Sequence, residues 1–296
     1  MKWFFATIAA LLTLGAGCVS AQSQDARLIP DGPYLGQTPP GSIAEIFAPD
    51  IVNTAENREV EGMFAEDMNA FYFIRRPLGE PSTSNVLVAL KYNGKQWNES
   101  IVKQGESEPS ISPDGMTIYF ANNYIERTNE GWSELETLGD PLNDIAIMRG
   151  AVASNGTYYF DTFTEKLDAP LRYSRLKDGK YEQPTSLGPQ FAVGTYNAHP
   201  FIAPDESYVT WDSRRDDGYG SSDLYISYRA SDGSWGDAIN LGDKINTDAA
   251  ENYPSVSPDG KFLFFDRRGE ADENGEKPVD IYWVDARFIE TLRPKP

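Results

Sequence analysis

The chain has 296 residues, with 45 Asp and Glu against 26 Lys and Arg, for a formal net charge of −19. Its 40% hydrophobic content, with 12% Phe, Trp and Tyr, suffices for a sizeable core and excludes general disorder. Such a polyanion repels phosphate backbones, so nucleic acid is not an expected partner. The single Cys excludes a disulfide framework and a cysteine-rich zinc site, and the single His, His199, excludes a multi-histidine metal centre. No metal or cofactor is therefore expected.

In chain order, Lys2 precedes an apolar run from Trp3 to Leu14 and then small residues, the pattern of a signal peptide. The run falls short of the roughly 20 residues that span a bilayer, and no later stretch is longer, so no transmembrane helix is expected. Val19-Ser20-Ala21 supplies a cleavage site, which makes residues 1–21 a leader and the protein periplasmic or secreted. The alternative is an outer-membrane lipoprotein. Leu14-Gly15-Ala16-Gly17-Cys18 is a loose lipobox, with the Leu one place too early, and would put a lipid anchor on Cys18. Residues 22–45 read as an N-terminal extension without strands, and residues 46–296 as a single domain.

That domain is internally repeated. Glu108-Pro109-Ser110-Ile111-Ser112-Pro113-Asp114-Gly115 recurs as Tyr253-Pro254-Ser255-Val256-Ser257-Pro258-Asp259-Gly260. His199-Pro200-Phe201-Ile202-Ala203-Pro204-Asp205-Glu206 is a degenerate copy. Weaker ones begin at Glu61-Gly62 and Arg149-Gly150. The Pro or Gly stands at 62, 109, 150, 200 and 254, which are 41 to 54 residues apart, the period of β-propeller blades. Each copy reads as a strand, a turn in which Pro fixes φ and Gly reverses the chain, and a second apolar strand: Phe71 to Phe73, Ile118 to Phe120, Tyr158 to Phe160, Tyr208 to Trp211 and Phe262 to Phe265. Third strands are expected at Val86 to Leu90, Leu171 to Ser174, Asp223 to Ser227 and Asp280 to Val284, with a poor one around Tyr124. Fourth strands follow Gly-x-Trp-like turns ending at Trp97, Trp132, Tyr181 and Trp235, aromatics expected to pack between blades rather than serve as sugar platforms.

The expected fold is an all-β five-bladed propeller of four-stranded antiparallel blades, with six blades as the alternative. The fifth blade lacks an outer strand. Ile51-Val52-Asn53-Thr54 matches the Ile245-Asn246-Thr247 that ends blade four, so the segment near Ile46 to Val52 is expected to close the ring and hide its edges. A short helix is expected within Ala286 to Leu292. Asp272-Glu273-Asn274-Gly275 lacks the ligand spacing of an EF-hand and reads as a solvated acidic loop.

Ser112-Pro113-Asp114-Gly115-Met116-Thr117-Ile118-Tyr119-Phe120, its copy at 257–265, and Asp217 to Ser227 resemble the TolB-type, WD-like β-propeller repeat. The resemblance covers about residues 46–287, though blades one and three depart from the Ser-Pro-Asp-Gly pattern. It implies an exported stand-alone binding or scaffold propeller. It implies no single activity, since TolB, peptidase propellers and oligogalacturonate lyases share the repeat. No G-x-S-x-G occurs, so a peptidase reading lacks its nucleophile.

The residues that enter the first strands form an aligned column: Glu61, Glu108, Arg149, His199 and Tyr253. One step out lie Glu59, Glu106, Asn197 and Glu251. Arg75, Arg214 and Arg267, each followed by a second Arg, sit at equivalent places after the second strands. One reading is a polar funnel whose arginine forks bind a carboxylate-bearing ligand. The other is that these arginines brace the blades against acids such as Asp212, Asp216, Asp217 and Asp266. The function that the sequence favours is a non-catalytic exported propeller that binds an envelope protein or a small polar or carbohydrate ligand at the funnel. The alternative is a carbohydrate-active hydrolase or lyase that uses the funnel carboxylates Glu61 and Glu108 with Arg149 and His199.

Overall fold

The computed structural model describes residues 29–165, 168–269 and 278–295. The leader, Cys18 and the acidic loop at 272–275 lie outside them. In chain order the strands are β1 (Glu45–Ile46), β2 (Asn57–Phe64), β3 (Ala70–Pro77), β4 (Val86–Tyr92), β5 (Trp97–Gln104), β6 (Pro109–Ile111), β7 (Thr117–Phe120) and β8 (Asn123–Thr128). They continue as β9 (Gly131–Trp132), β10 (Glu136–Thr137), β11 (Gly150–Val152), β12 (Tyr158–Phe160), β13 (Arg172–Ser174), β14 (Leu176–Lys177), β15 (Lys180–Tyr181) and β16 (Thr185–Ser186). The last are β17 (Thr195–Ile202), β18 (Tyr208–Arg214), β19 (Asp223–Tyr228), β20 (Ile239–Asn240), β21 (Ala250–Val256), β22 (Phe262–Arg268) and β23 (Val279–Asp285), followed by α1 (Phe288–Leu292).

Five antiparallel four-stranded blades follow from the pairing: β2-β3-β4-β5, β6-β7-β8-β10, β11-β12-β13-β16, β17-β18-β19-β20 and β21-β22-β23-β1. The third strand of blade two, weak in the sequence, is β8. Its tip extends into a small hairpin with β9, and β14 with β15 does the same in blade three. Five apolar clusters lie between the blades, one at each seam, and make the ring continuous.

The turns form for local reasons. In blade two the Ser112 hydroxyl bonds Asp114 and accepts the Thr117 amide at 2.9 Å, while Gly115 takes a φ of +69°. Ser257, Asp259, Phe262 and Gly260 repeat this in blade five. Adjacent inner strands are stitched by hydroxyls: Ser110 donates to the Gly150 carbonyl, and Ser255 to that of Gly62.

The ring closes as the repeat implies. Glu45 and Ile46 pair with Trp283 and Tyr282, so β1 is the outer strand of blade five. The strand is shorter than the expected run to Val52, because the chain turns at Ala48 to Ile51 and Asn53 takes over the clamp. Its amide donates to the carbonyls of Phe47 and Ile281, and its side-chain oxygen accepts the Ile281 amide at 2.8 Å. Asn246 treats Leu224 the same way in blade four. The four repeat aromatics are packing residues: Trp97 is buried against Tyr92, Trp132 lies under Arg127, Tyr181 near Tyr158, and Trp235 against Tyr159 and Phe191.

Candidate functional site

The column residues meet at the centre of the ring, three of them because their strands are bulged. The pairing register slips between Val60 and Met63, between Ala198 and Phe201, and between Asn252 and Ser255. Glu61, His199 and Tyr253 lie in those slips, and they and Glu108 take left-handed φ values of 65°, 51°, 56° and 61°. A bulge swings a side chain out of its alternation, here into the channel. For a non-glycine residue that conformation costs on the order of 1–3 kcal/mol and needs compensation.

Three buried aspartates that the sequence reading did not assign to the site hold these residues. Asp161 accepts the amides of Met148, Arg149 and, at 2.9 Å, His199 on the next blade. Asp212 accepts the Tyr253 amide and the Asn252 side chain. Asp266 accepts the Glu61 amide across the closing seam. All three follow an aromatic residue of the second strand, in Phe160-Asp161, Trp211-Asp212 and Phe265-Asp266, a shared signal that the repeat alignment contained. Asp212 and Asp266 therefore serve the column, Asp266 through a backbone amide and Asp212 through the Tyr253 amide and the side chains of Asn252 and His199, rather than the arginine pairs.

The side chains form one network. His199, 1% exposed, bonds Asp212 through Nδ1 at 2.7 Å and stacks on Tyr253 with ring centroids 3.8 Å apart. The Tyr253 hydroxyl donates to Glu108 at 3.0 Å. The other Glu108 oxygen stands 3.8 Å from His199 Nε2, and neither atom has a hydrogen-bond partner among the described residues. Glu61 reaches Arg149 at 3.4 Å, and the Arg149 guanidinium lies over the Tyr253 ring. Among the described residues, no group of three His, Cys, Asp or Glu is arranged to hold a metal ion.

Burial pushes the Glu61 carboxyl well above the usual range, and the charges of Glu108 and Asp266 add to it; those of Arg149 and His199 oppose the shift without reversing it. Burial likewise raises Asp161 to about 6 and Asp266 to about 8. For His199, burial works downward but is outweighed by the charges of Asp212 and Glu108 and by the hydrogen bond to Asp212, which bring it up to about 9. Burial, then Glu108 and Glu61, keep Tyr253 a neutral phenol and hence a donor.

Two cavities open on this face. The inner one, about 170 Å³, is walled by Glu61, Glu108, Tyr253, Arg58 and Arg76 among others. It adjoins a polar cavity of about 340 Å³ that shares Arg58 and Arg76 and adds Arg268 and Glu80. The structure does not bring Arg75, Arg214 or Arg267 to either cavity. Arg75 pairs with Glu59 at 3.0 Å and bonds the Ile51 carbonyl, and Arg267 pairs with Glu251 at 2.8 Å and bonds that of Ile245. Glu59 and Glu251 each also accept from the Thr54 or Thr247 hydroxyl. Arg214 bonds the Ser221 carbonyl. Strand alternation explains the difference: within the pairs of blades one and five, the first Arg braces and the second, Arg76 or Arg268, lines the cavity. Of the outer residues, Glu106 is half-buried, and Asn197 is buried with both side-chain polar atoms unpartnered.

No family model and no curated protein matches the chain. Solved structures do. An α-L-arabinofuranosidase from Podospora anserina, solved with cellotriose, is 10% identical with a TM-score of 0.51, covering 82% of this chain and 97% of its own. The catalytic domain of a GH62 α-L-arabinofuranosidase from Coprinopsis cinerea gives 10%, 0.51, 85% and 94%. An oligogalacturonate lyase from Vibrio parahaemolyticus is 14% identical with a TM-score of 0.40, covering 85% of this chain and 71% of its own. At such identities the likeness to the two arabinofuranosidases is one of fold, and the fold is the five-bladed propeller.

Proposed function

We propose that the ring centre is the active site of a carbohydrate-active enzyme that hydrolyses an acidic glycan. The observation that carries this is that two carboxyls, Glu61 and Glu108, wall one cavity while burial and the neighbouring charge of Glu108 hold the Glu61 carboxyl well above its usual range. Paired carboxyls in unequal environments are the requirement of glycoside hydrolysis. Glu61 is the proton donor to the leaving oxygen. Glu108, 21% exposed at its side chain, is the base or nucleophile, oriented by Tyr253 and His199. Arg58, Arg76 and Arg268 beside the cavity suit a sugar carboxylate or sulfate, a local positive field within an acidic protein. The fold shared with the two arabinofuranosidases is compatible with this reading. Membership of the TolB-type repeat family and export through the leader remain part of the proposal, supported by the Ser-Pro-Asp-Gly copies and by the apolar run after Lys2.

The test is release of reducing ends from uronate-containing, sulfated and neutral oligosaccharides. Wild type should cleave an acidic member, and Glu61→Gln and Glu108→Gln should each lower kcat by about 10²- to 10⁴-fold. An unsaturated, ultraviolet-absorbing product end would replace hydrolysis by elimination, the chemistry that the arginines favour if they neutralise a uronate. Saturable calorimetric binding with no turnover across the panel would instead sustain the non-catalytic reading of the sequence.

A further inference from the structure

The opposite end of the channel holds a larger cavity, about 560 Å³, within the usual range for small-molecule sites. Its wall is the inner strands of the blades. Met63, Ile111, Val152, Ile202 and Val256 supply an apolar lining, and the Ser-Pro-Asp turns surround the mouth. At the inner end of that lining stands a buried cation. Arg149 stands where its strand begins, at the deep end. It is 3% exposed, and its Nε has no hydrogen-bond partner among the described residues. Its contact with Glu61, at 3.4 Å, is long for a charge-assisted bond, and its guanidinium lies over the face of Tyr253. Leaving a buried guanidinium donor unsatisfied is costly, and a carboxylate entering from this side would satisfy it. The mouth has the opposite charge. Glu66 lies in the wall, and Asp259, paired with Lys261 at 2.9 Å, lies at the rim. A second negative charge on the outer end of a ligand would meet these acids.

We infer that this cavity is a binding site for a monoanionic carboxylate with an apolar or aromatic body, its carboxylate on Arg149 at the deep end and its body against Ile111, Ile202 and Val256. The site shares Arg149 with the network at the ring centre, but it does not rest on the carbohydrate reading, and its test does not use turnover.

The probe is trans-cinnamate, titrated calorimetrically into the full chain, with cinnamyl alcohol as the uncharged isostere and p-carboxycinnamate as the dianion. Cinnamate should bind one to one, about ten- to hundredfold more tightly than either comparator, as expected for a charge-assisted bond gained or an anion repelled. Arg149→Met should bring cinnamate down to the level of the alcohol. Val256→Trp, at a half-buried wall position, should abolish binding by filling the cavity, and Ile111→Trp is a second blocking variant if the first fails to fold. Equal affinity for cinnamate and the alcohol would overturn the inference. So would cinnamate binding that survives in a folded blocking variant, which would place the ligand elsewhere, or the absence of saturable binding to wild type.

Discussion

Asp266 shows how a single carboxyl sets the pH response of the centre. It accepts the Glu61 amide, and burial lifts it from an ordinary 3.8 to about 8. Between those values the unfolded chain has lost the proton and the native state keeps it, so stability falls as pH rises through that window. His199 acts with the same sign between 6.5 and about 9, since its folded form holds a proton that the unfolded form has released. The melting temperature should therefore decline as pH is raised from about 6.5 to about 8, where the two windows overlap. In Asp266→Asn, which keeps an acceptor for the Glu61 amide and removes the titration, the decline should be shallower. Equal slopes for the two proteins, followed by differential scanning fluorimetry, would refute the assignment. The column itself was legible in the sequence, since repeat alignment put Glu61, Glu108, Arg149, His199 and Tyr253 in one register. The aspartates beneath it were not, because an Asp that serves a backbone amide on the neighbouring blade looks the same in sequence as one that serves an adjacent Arg.

Among the elements, the closing segment carries the most consequence per residue. Phe47 sits just past the two-residue strand β1, with its ring centroid 4.6 Å from that of Phe71 and 5.1 Å from those of both Phe264 and Trp283. It thus joins blade one to blade five through the same contacts that define their shared core. Phe47→Ala should cost about 3–5 kcal/mol, read as a lowered urea midpoint at unchanged slope. A loss below about 1 kcal/mol would mean that the backbone clamp of Asn53 alone holds the seam. That clamp was readable beforehand from the match of Ile51-Val52-Asn53-Thr54 to Ile245-Asn246-Thr247. The partners of the arginine pairs were not. The Thr54–Glu59–Arg75 brace, and its copy at Thr247, Glu251 and Arg267, depends on Glu59 lying opposite Arg75 and Glu251 opposite Arg267, a cross-strand register that spacing alone does not specify.

At the scale of the molecule, the ring was legible because one turn chemistry and one apolar pattern recur five times, so that five weak local signals support one another. The chemistry of its centre was less so, because bulges decide which side chains enter the channel. The same scale separates two kinds of electrostatics. A net charge of −19 opposes compaction through repulsion over the surface, whereas the ionisable side chains of the centre, Glu61, Arg149, Asp161, His199, Asp212 and Asp266, are buried. Salt screens the first kind far more than the second. Raising sodium chloride from about 0.01 M to about 0.15 M shortens the Debye length from about 30 Å to about 8 Å. The melting temperature should rise over that interval, while its decline between about pH 6.5 and pH 8 should persist with little change in slope. If salt removed the pH slope as well, the titrating groups behind it would be at the surface, and the buried centre would not be their source.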